Sequence, residues 1–212
     1  MSLPPLGSQP VEIPGPAGRL QAVVAVPPSD GGRHYGVICH PHPLFGGTMD
    51  NKVVTTVAKA LADCAMPTLR FNFRGVGSSQ GTYDEGIGET ADALAVADWG
   101  GRRWPDRRLV LGGFSFGAYV ALRAAQRHDL AGLILVAPPV GRFDFSGLAP
   151  PRCPWTVIQG DADDVVDPGR VIDWAGRAVP RPTIVSLSGV GHFFHGRLTE
   201  LRDAVIAEIR SV

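Results

Sequence analysis

Leu109-Val110-Leu111-Gly112-Gly113-Phe114-Ser115-Phe116-Gly117 runs from a short apolar stretch straight into a glycine-flanked serine. The apolar run reads as a buried strand, and Val120 to Ala125 downstream has helical spacing, so Ser115 falls at a strand-to-helix junction. Glycines two residues before and two after the serine let backbone pass where a side chain would clash. That permits a sharp turn on which the hydroxyl projects above the sheet. A lone Gly-x-Ser-x-Gly is common by chance. Ser115 is therefore a candidate nucleophile only if the chain also supplies a base to take its proton and a carboxylate to orient that base.

Working outward, further apolar or β-branched runs occur at Leu20 to Val26, Val37 to Cys39, Thr68 to Phe73, Leu133 to Val136, Thr156 to Ile158 and Thr183 to Leu187. From the third run onward, segments of helical spacing separate them: Val53/Val57/Leu61, Ala91/Leu94/Ala95, Val120 to Ala125, and Val171 to Ala178 behind Asp167-Pro168. Continuous apolar runs suit strands covered on both faces. The pattern predicts an α/β fold with a doubly wound, mostly parallel sheet of about eight strands and helices on both faces. The first two runs lack an intervening helix and are expected to pair antiparallel. A last helix with Leu198, Leu201, Val205, Ile206 and Ile209 on one stripe would close one face. A single domain over residues 1–212 accounts for the length, and no repeat or linker interrupts it.

Twenty basic and twenty acidic residues cancel, so no overall field favours nucleic acid or a membrane surface. Met1-Ser-Leu-Pro-Pro-Leu-Gly7 has no charged segment leading into an apolar one, and no stretch is long and apolar enough to span a bilayer, which predicts a cytoplasmic protein. Cys39, Cys64 and Cys153 are widely spaced and read as ordinary thiols.

In a doubly wound sheet, reactive groups gather beyond the carboxyl ends of the strands. After Trp155-Thr-Val-Ile-Gln159 comes Gly160-Asp161-Ala162-Asp163-Asp164-Val165-Val166-Asp167-Pro168, and after Thr183 to Leu187 comes Gly189-Val190-Gly191-His192-Phe193-Phe194-His195. An acid from the first segment and a base from the second would complete a triad with Ser115. Asp161, Asp163, Asp164 and Asp167 compete for the acid, with Asp167 before Pro168 best suited to capping a helix. His192 and His195 compete for the base.

Gly-Phe-Ser-Phe-Gly, Gly-Asp-Ala-Asp-Asp-Val-Val and Gly-Val-Gly-His-Phe-Phe, in that order, together resemble the α/β-hydrolase superfamily. Within it, His40-Pro41-His42-Pro43-Leu44-Phe45-Gly46-Gly47-Thr48-Met49-Asp50-Asn51-Lys52 resembles a group of small, lidless bacterial hydrolases. The resemblance covers nearly the whole chain and implies Asp163 as the acid and His192 as the base. It also implies an oxyanion hole of backbone N–H groups, one from Phe116 and one from the loop after the strand ending at Cys39. Pro41 and Pro43 have no N–H to give, which leaves Leu44 or His42, with Leu44 preferred as the first residue past the prolines. His42 is otherwise expected to contact substrate. The family inserts lids between the strands near Ala137 and Trp155. Pro138 to Pro154 is too short for a lid domain and instead offers Val140, Phe143, Phe145 and Leu148 as an apolar wall, with Phe143 against substrate.

Other motifs are weaker. His40-x-His42 brings two imidazoles to one face of an extended segment, but no third metal ligand follows. Arg74-Gly75-Val76-Gly77-Ser78-Ser79-Gln80 lacks the third glycine of a dinucleotide loop and resembles the superfamily's structural Arg-Gly-x-Gly-x-Ser turn. Trp99, Trp104, Trp155 and Trp174 read as packing. The expected activity is that of a cofactor-free serine hydrolase of the carboxylesterase type acting on small acyl esters. Peptidase or thioesterase chemistry is the alternative within enzymes, and a non-catalytic binding protein the alternative outside them.

Overall fold

The computed structural model describes residues 7–28 and 32–210, so the N-terminal stretch Met1 to Leu6 read above lies outside the described residues. One sheet runs β1 (Gly7–Gly15), β2 (Gly18–Val26), β3 (His34–Cys39), β4 (Thr68–Phe71), β5 (Arg108–Phe114), β6 (Gly132–Val136), β7 (Trp155–Gly160) and β8 (Thr183–Leu187) along the chain. In space the order is β1-β2-β4-β3-β5-β6-β7-β8. From β4 to β8 all neighbours are parallel, and β1 and β2 join antiparallel at one edge. The helices are α1 (Lys52–Asp63), α2 (Ile87–Arg103), α3 (Phe116–Ala124), α4 (Pro168–Arg177) and α5 (Leu198–Ile209).

Alternation along the central strands divides the apolar residues between two cores. Val37, Leu111, Leu135 and Val157 face α2, α3 and α4, whereas Ile38, Val110, Ile134 and Ile158 face α1 and α5. Burial on both faces explains why these strands read as continuous apolar runs rather than as polar–apolar alternation.

Two expectations change at the sheet's edge. β2 pairs antiparallel with β4 and β1, not with β3. β3 is buried almost throughout and takes the centre between β4 and β5, whereas β2 alternates between buried and partly exposed residues, as suits a strand nearer the edge. β1 is an added strand with no apolar run to announce it, since Pro10 and Pro14 interrupt Val11 and Ile13, and prolines are tolerated in an edge strand.

From β3 the chain crosses through α1 to β4 on one side, and β5 then lies on the other, so the strand order reverses between β3 and β5. The carboxyl ends of those two strands, at Cys39 and Phe114, border the crevice where such sheets bind ligands. No helix among the described residues is long and apolar enough to cross a membrane.

Candidate active site

Ser115 sits between β5 and α3 with φ of +53°, a left-handed conformation that a non-glycine residue holds at a cost of about 1–3 kcal/mol. The flanking glycines are what make this turn possible. A Cβ on Gly113 would come within 2.1 Å of the Gly117 carbonyl oxygen, and one on Gly117 within 2.3 Å of the Cys39 carbonyl oxygen at the end of β3. The serine N–H donates to Val136 O at 2.9 Å, tying the turn to β6.

His192 follows β8 and Asp163 follows β7, as expected for strand-end loops. Ser115 Oγ–H donates to His192 Nε2 at 3.1 Å, and His192 Nδ1–H donates to Asp163 Oδ2 at 2.8 Å. Both partners are buried, His192 to 3% exposure and Asp163 to 8%. Burial works to raise the Asp163 carboxyl, but the hydrogen bonds from His192 and from the N–H groups of Val166 and Val165 outweigh it. The acid therefore lies below the ordinary carboxylate range. An ionised carboxylate only accepts, which fixes the proton on His192 Nδ1 and leaves Nε2 free to receive one from the serine.

The remaining acids of the β7 loop have other employment. Asp167 accepts from the N–H groups of Gly169 and Arg170 and caps α4, and Asp161 accepts from Gly189 N–H, joining the acid loop to the base loop. Asp164 is exposed. His195 is exposed in a turn rather than a helix, its ring 5.8 Å from that of Phe193. The Phe-Phe pair after the base divides its work, with Phe194 fully buried as the loop's anchor and Phe193 48% exposed, its ring 5.1 Å from that of His192.

The loop after β3 gives the two candidate donors different surroundings. Leu44 N–H donates to His42 Nδ1 at 3.2 Å, so it is committed within the loop. His42 Nε2–H in turn reaches Tyr83 Oη at 3.1 Å, and the His42 carbonyl accepts from the N–H groups of Phe45 and Gly47. Those bonds use both ring nitrogens and the carbonyl of His42, and none of them uses its N–H. Burial pushes the His42 imidazole below its usual range, in keeping with a neutral ring that accepts on one nitrogen and donates on the other. Phe116, as the first residue of α3, carries one of the N–H groups that a helix leaves without an intrahelical partner.

His42 and Phe143 do come together beside the elbow. The His42 ring lies 4.9 Å from that of Phe116 and 6.0 Å from that of Phe143, and Phe143 stacks on Tyr119 at 4.9 Å. Residues 137–154 between β6 and β7 contain no helix. His40 is fully buried and directed away from His42, donating to Pro41 O and accepting from Phe73 N–H, so the two imidazoles do not converge. Arg74 is structural, bidentate on the buried Asp92.

Sequence reasoning missed Tyr83 and Gln159. Nothing in the sequence marks Tyr83. Gln159 carried a signal, being the polar residue that ends the run Trp155-Thr-Val-Ile.

A protein-family model described as serine aminopeptidase, S33, matches residues 44–151. A lidless α/β serine hydrolase from Xanthomonas campestris shares 45% identity and superposes with a TM-score of 0.92, covering 100% of this chain and 97% of that one. The chain belongs to the α/β-hydrolase superfamily. Two more relatives match most of the chain. An α/β serine hydrolase homologue from Coxiella burnetii is 45% identical with a TM-score of 0.91, over 97% of this hydrolase and 99% of that chain. An uncharacterised protein of Rickettsia prowazekii is 37% identical over 202 residues, spanning 90% of this chain and 84% of its own.

Proposed function

We propose that this α/β-hydrolase is a carboxylesterase that works through an acyl-enzyme on Ser115. The observation that carries the reading is the hydrogen-bonded chain from Ser115 Oγ through His192 to the buried Asp163, at 3.1 and 2.8 Å. Ser115 Oγ attacks the acyl carbonyl carbon while its proton passes to His192 Nε2, and Asp163 stabilises the imidazolium that forms. The tetrahedral oxyanion is received by Phe116 N–H and, with Leu44 N–H committed to the His42 ring, by His42 N–H, which stands between two prolines. Each such donor is worth about 10²–10³ in rate. Collapse expels the alkoxide, which takes the proton from His192, and water repeats the sequence in reverse roles to free the acid.

An apolar acyl or alcohol group fits the surroundings. Leu44 at 67% and Phe45 at 85% exposure stand on the loop of His42, the Phe45 ring 4.7 Å from that of His42, and the exposed Phe193 ring lies 5.1 Å from that of His192. Large apolar side chains so exposed gain by covering an apolar ligand. Amide hydrolysis is the second reading, favoured by the serine aminopeptidase description of the matching family model.

The test is hydrolysis of p-nitrophenyl esters of increasing acyl length and of aminoacyl p-nitroanilides, with Ser115→Ala alongside and Ser115 labelled by a fluorophosphonate. The ester reading requires turnover of esters, labelling of wild type alone, and a loss of at least about 10³-fold in kcat for the variant. Turnover of anilides without esters moves the assignment to peptidase chemistry, and inertness toward both substrates and probe removes catalysis.

A further inference from the structure

Gln159 is wholly buried near the carboxyl end of β7, in a strand whose every residue is buried. Its Nε2 donates to Asp163 Oδ2 at 3.0 Å and to the Gly160 carbonyl at 3.1 Å, while its Oε1 has no hydrogen-bond partner among the described residues. The amide cannot be turned over profitably, because Oε1 would then face a carboxylate and a carbonyl, both acceptors. A methionine would fill the same space without burying an unpaired oxygen. Packing alone therefore does not account for a glutamine here, whereas its contact with Asp163 does.

Asp163 is held at four points. Oδ1 accepts from Val165 N–H at 2.9 Å and Val166 N–H at 2.7 Å, and Oδ2 accepts from His192 and Gln159. The backbone bonds fix one oxygen, and the direction of the other then depends on rotation of the carboxylate plane. We propose that Gln159 is a positioning residue for the acid of the triad, aiming Asp163 Oδ2 at His192 and limiting how strongly the carboxylate draws on the imidazole proton. The proposal rests on the triad reading above. A neutral donor on Oδ2 disperses carboxylate charge and so weakens the pull of the carboxylate on the imidazole proton. His192 is the titratable group in contact with Asp163. Asp161 and Asp164 on the same loop, Asp167 and Arg170 at the start of α4, and His195 beyond the base are all exposed, and Arg197 is partly so.

The experiment compares Gln159→Met and Gln159→Glu with the wild-type chain. Its readouts are kcat and KM for p-nitrophenyl acetate against pH, fluorophosphonate labelling of Ser115, thermal unfolding, and the low-field proton resonance of the His192 Nδ1–H. For Gln159→Met, melting is expected to be unchanged or higher, KM unchanged, and kcat lower by about tenfold, the worth of one hydrogen bond to a charged group. The acid limb of kcat/KM should move upward and the low-field resonance should shift. In Gln159→Glu the introduced carboxyl can still donate to Oδ2 while protonated and repels it once ionised, so this variant should work at acidic pH and decline through a new limb that wild type lacks. An unaltered kcat and pH profile in Gln159→Met, a wild-type profile in Gln159→Glu, or failure of Gln159→Met to fold would each overturn the proposal. If wild type neither hydrolyses esters nor labels, the triad reading fails separately, and an unshifted resonance in Gln159→Met would still overturn the coupling of Gln159 to His192.

Discussion

Asp163→Asn removes one charge and exchanges one acceptor for a donor where four N–H groups converge, at 2.7 to 3.0 Å. An asparagine can satisfy one pair of those donors with its oxygen, and its NH₂ must face the other pair. The two backbone donors of Val165 and Val166 cannot move without unwinding the start of the following turn, so the oxygen is expected to stay with them and the NH₂ to face Gln159 and His192. Gln159 can respond by rotating its amide so that Oε1 accepts, at the expense of its bond to Gly160 O. His192 can respond only by moving its proton to Nε2, so that Nδ1 accepts and the nitrogen facing Ser115 no longer takes a proton. Loss of the base in that manner is worth about 10⁴ in kcat, or about 5 kcal/mol of transition-state stabilisation. The fold should lose less, about 1–3 kcal/mol, since Gln159 relieves part of the donor–donor conflict. Ester hydrolysis and the fluorophosphonate labelling rate measure the first loss, and urea unfolding measures the second. Activity within tenfold of wild type in a correctly folded Asp163→Asn would refute the role given to Asp163 and the proton position on His192.

Four further outcomes follow from particular contacts. Burial pushes the His40 imidazole down to about 4, against about 6.5 when unfolded, so below about 6.5 the unfolded chain binds a proton that the native state refuses. Stability should be complete above that pH and fall by up to about 3 kcal/mol as the pH drops toward 4, a slope that urea titrations should find weakened in His40→Gln. Arg74→Ala strands the fully buried Asp92 carboxylate and should cost about 3–5 kcal/mol in the same assay. Gly117→Ala forces a Cβ against the Cys39 carbonyl and should cost about 3 kcal/mol or more while lowering kcat, since the elbow must shift from β3. Tyr83→Phe removes one hydrogen bond from the His42 ring and should lower kcat by about 3- to 10-fold with KM unchanged; an altered KM with intact kcat would place Tyr83 in substrate binding instead.

Much of this architecture is legible in the sequence because buried strands must be apolar and the residues beyond them need not be. Seven runs are visible as strands, and the loops after three of them carry Ser115 and the proposed acid and base. β1 is not visible, because an edge strand can carry Pro10 and Pro14 and need not be apolar. The partner of β2 escapes the sequence for a related reason, since chain proximity favours β3 and only the demand for a doubly covered centre assigns β3 elsewhere. Spacing alone cannot sort Asp161, Asp163, Asp164 and Asp167, because each could accept from nearby N–H groups. The structure separates them by what they accept from: a loop N–H for Asp161, helix N–H groups for Asp167, and an imidazole together with a buried amide for Asp163. In the loop after β3, the sequence shows which N–H groups prolines remove, but not that the His42 ring folds back to claim the one on Leu44.

That backward fold also bears on how an open site can be ready for chemistry. Enzymes with lids complete the site and exclude water when they close. Here residues 137–154 contain no helix to close over Ser115, so donors for a developing charge must already be aimed in the resting state. In the proposed mechanism the loop after β3 meets that demand by consuming its own alternatives. Two prolines remove competing donors, the His42 carbonyl accepts two N–H groups, its ring engages Leu44 and Tyr83, and the ring of Phe116 supports it from the elbow. A residue held at that many points has little freedom to reorganise when charge appears. The strained φ of Ser115 persists on the same terms, fixed by Val136 O on one side and by the close approach of Gly117 to β3 on the other. In the proposed hydrolase, rigidity of the loops supplies what closure supplies elsewhere, and the cleft can stay open to the water that deacylation requires.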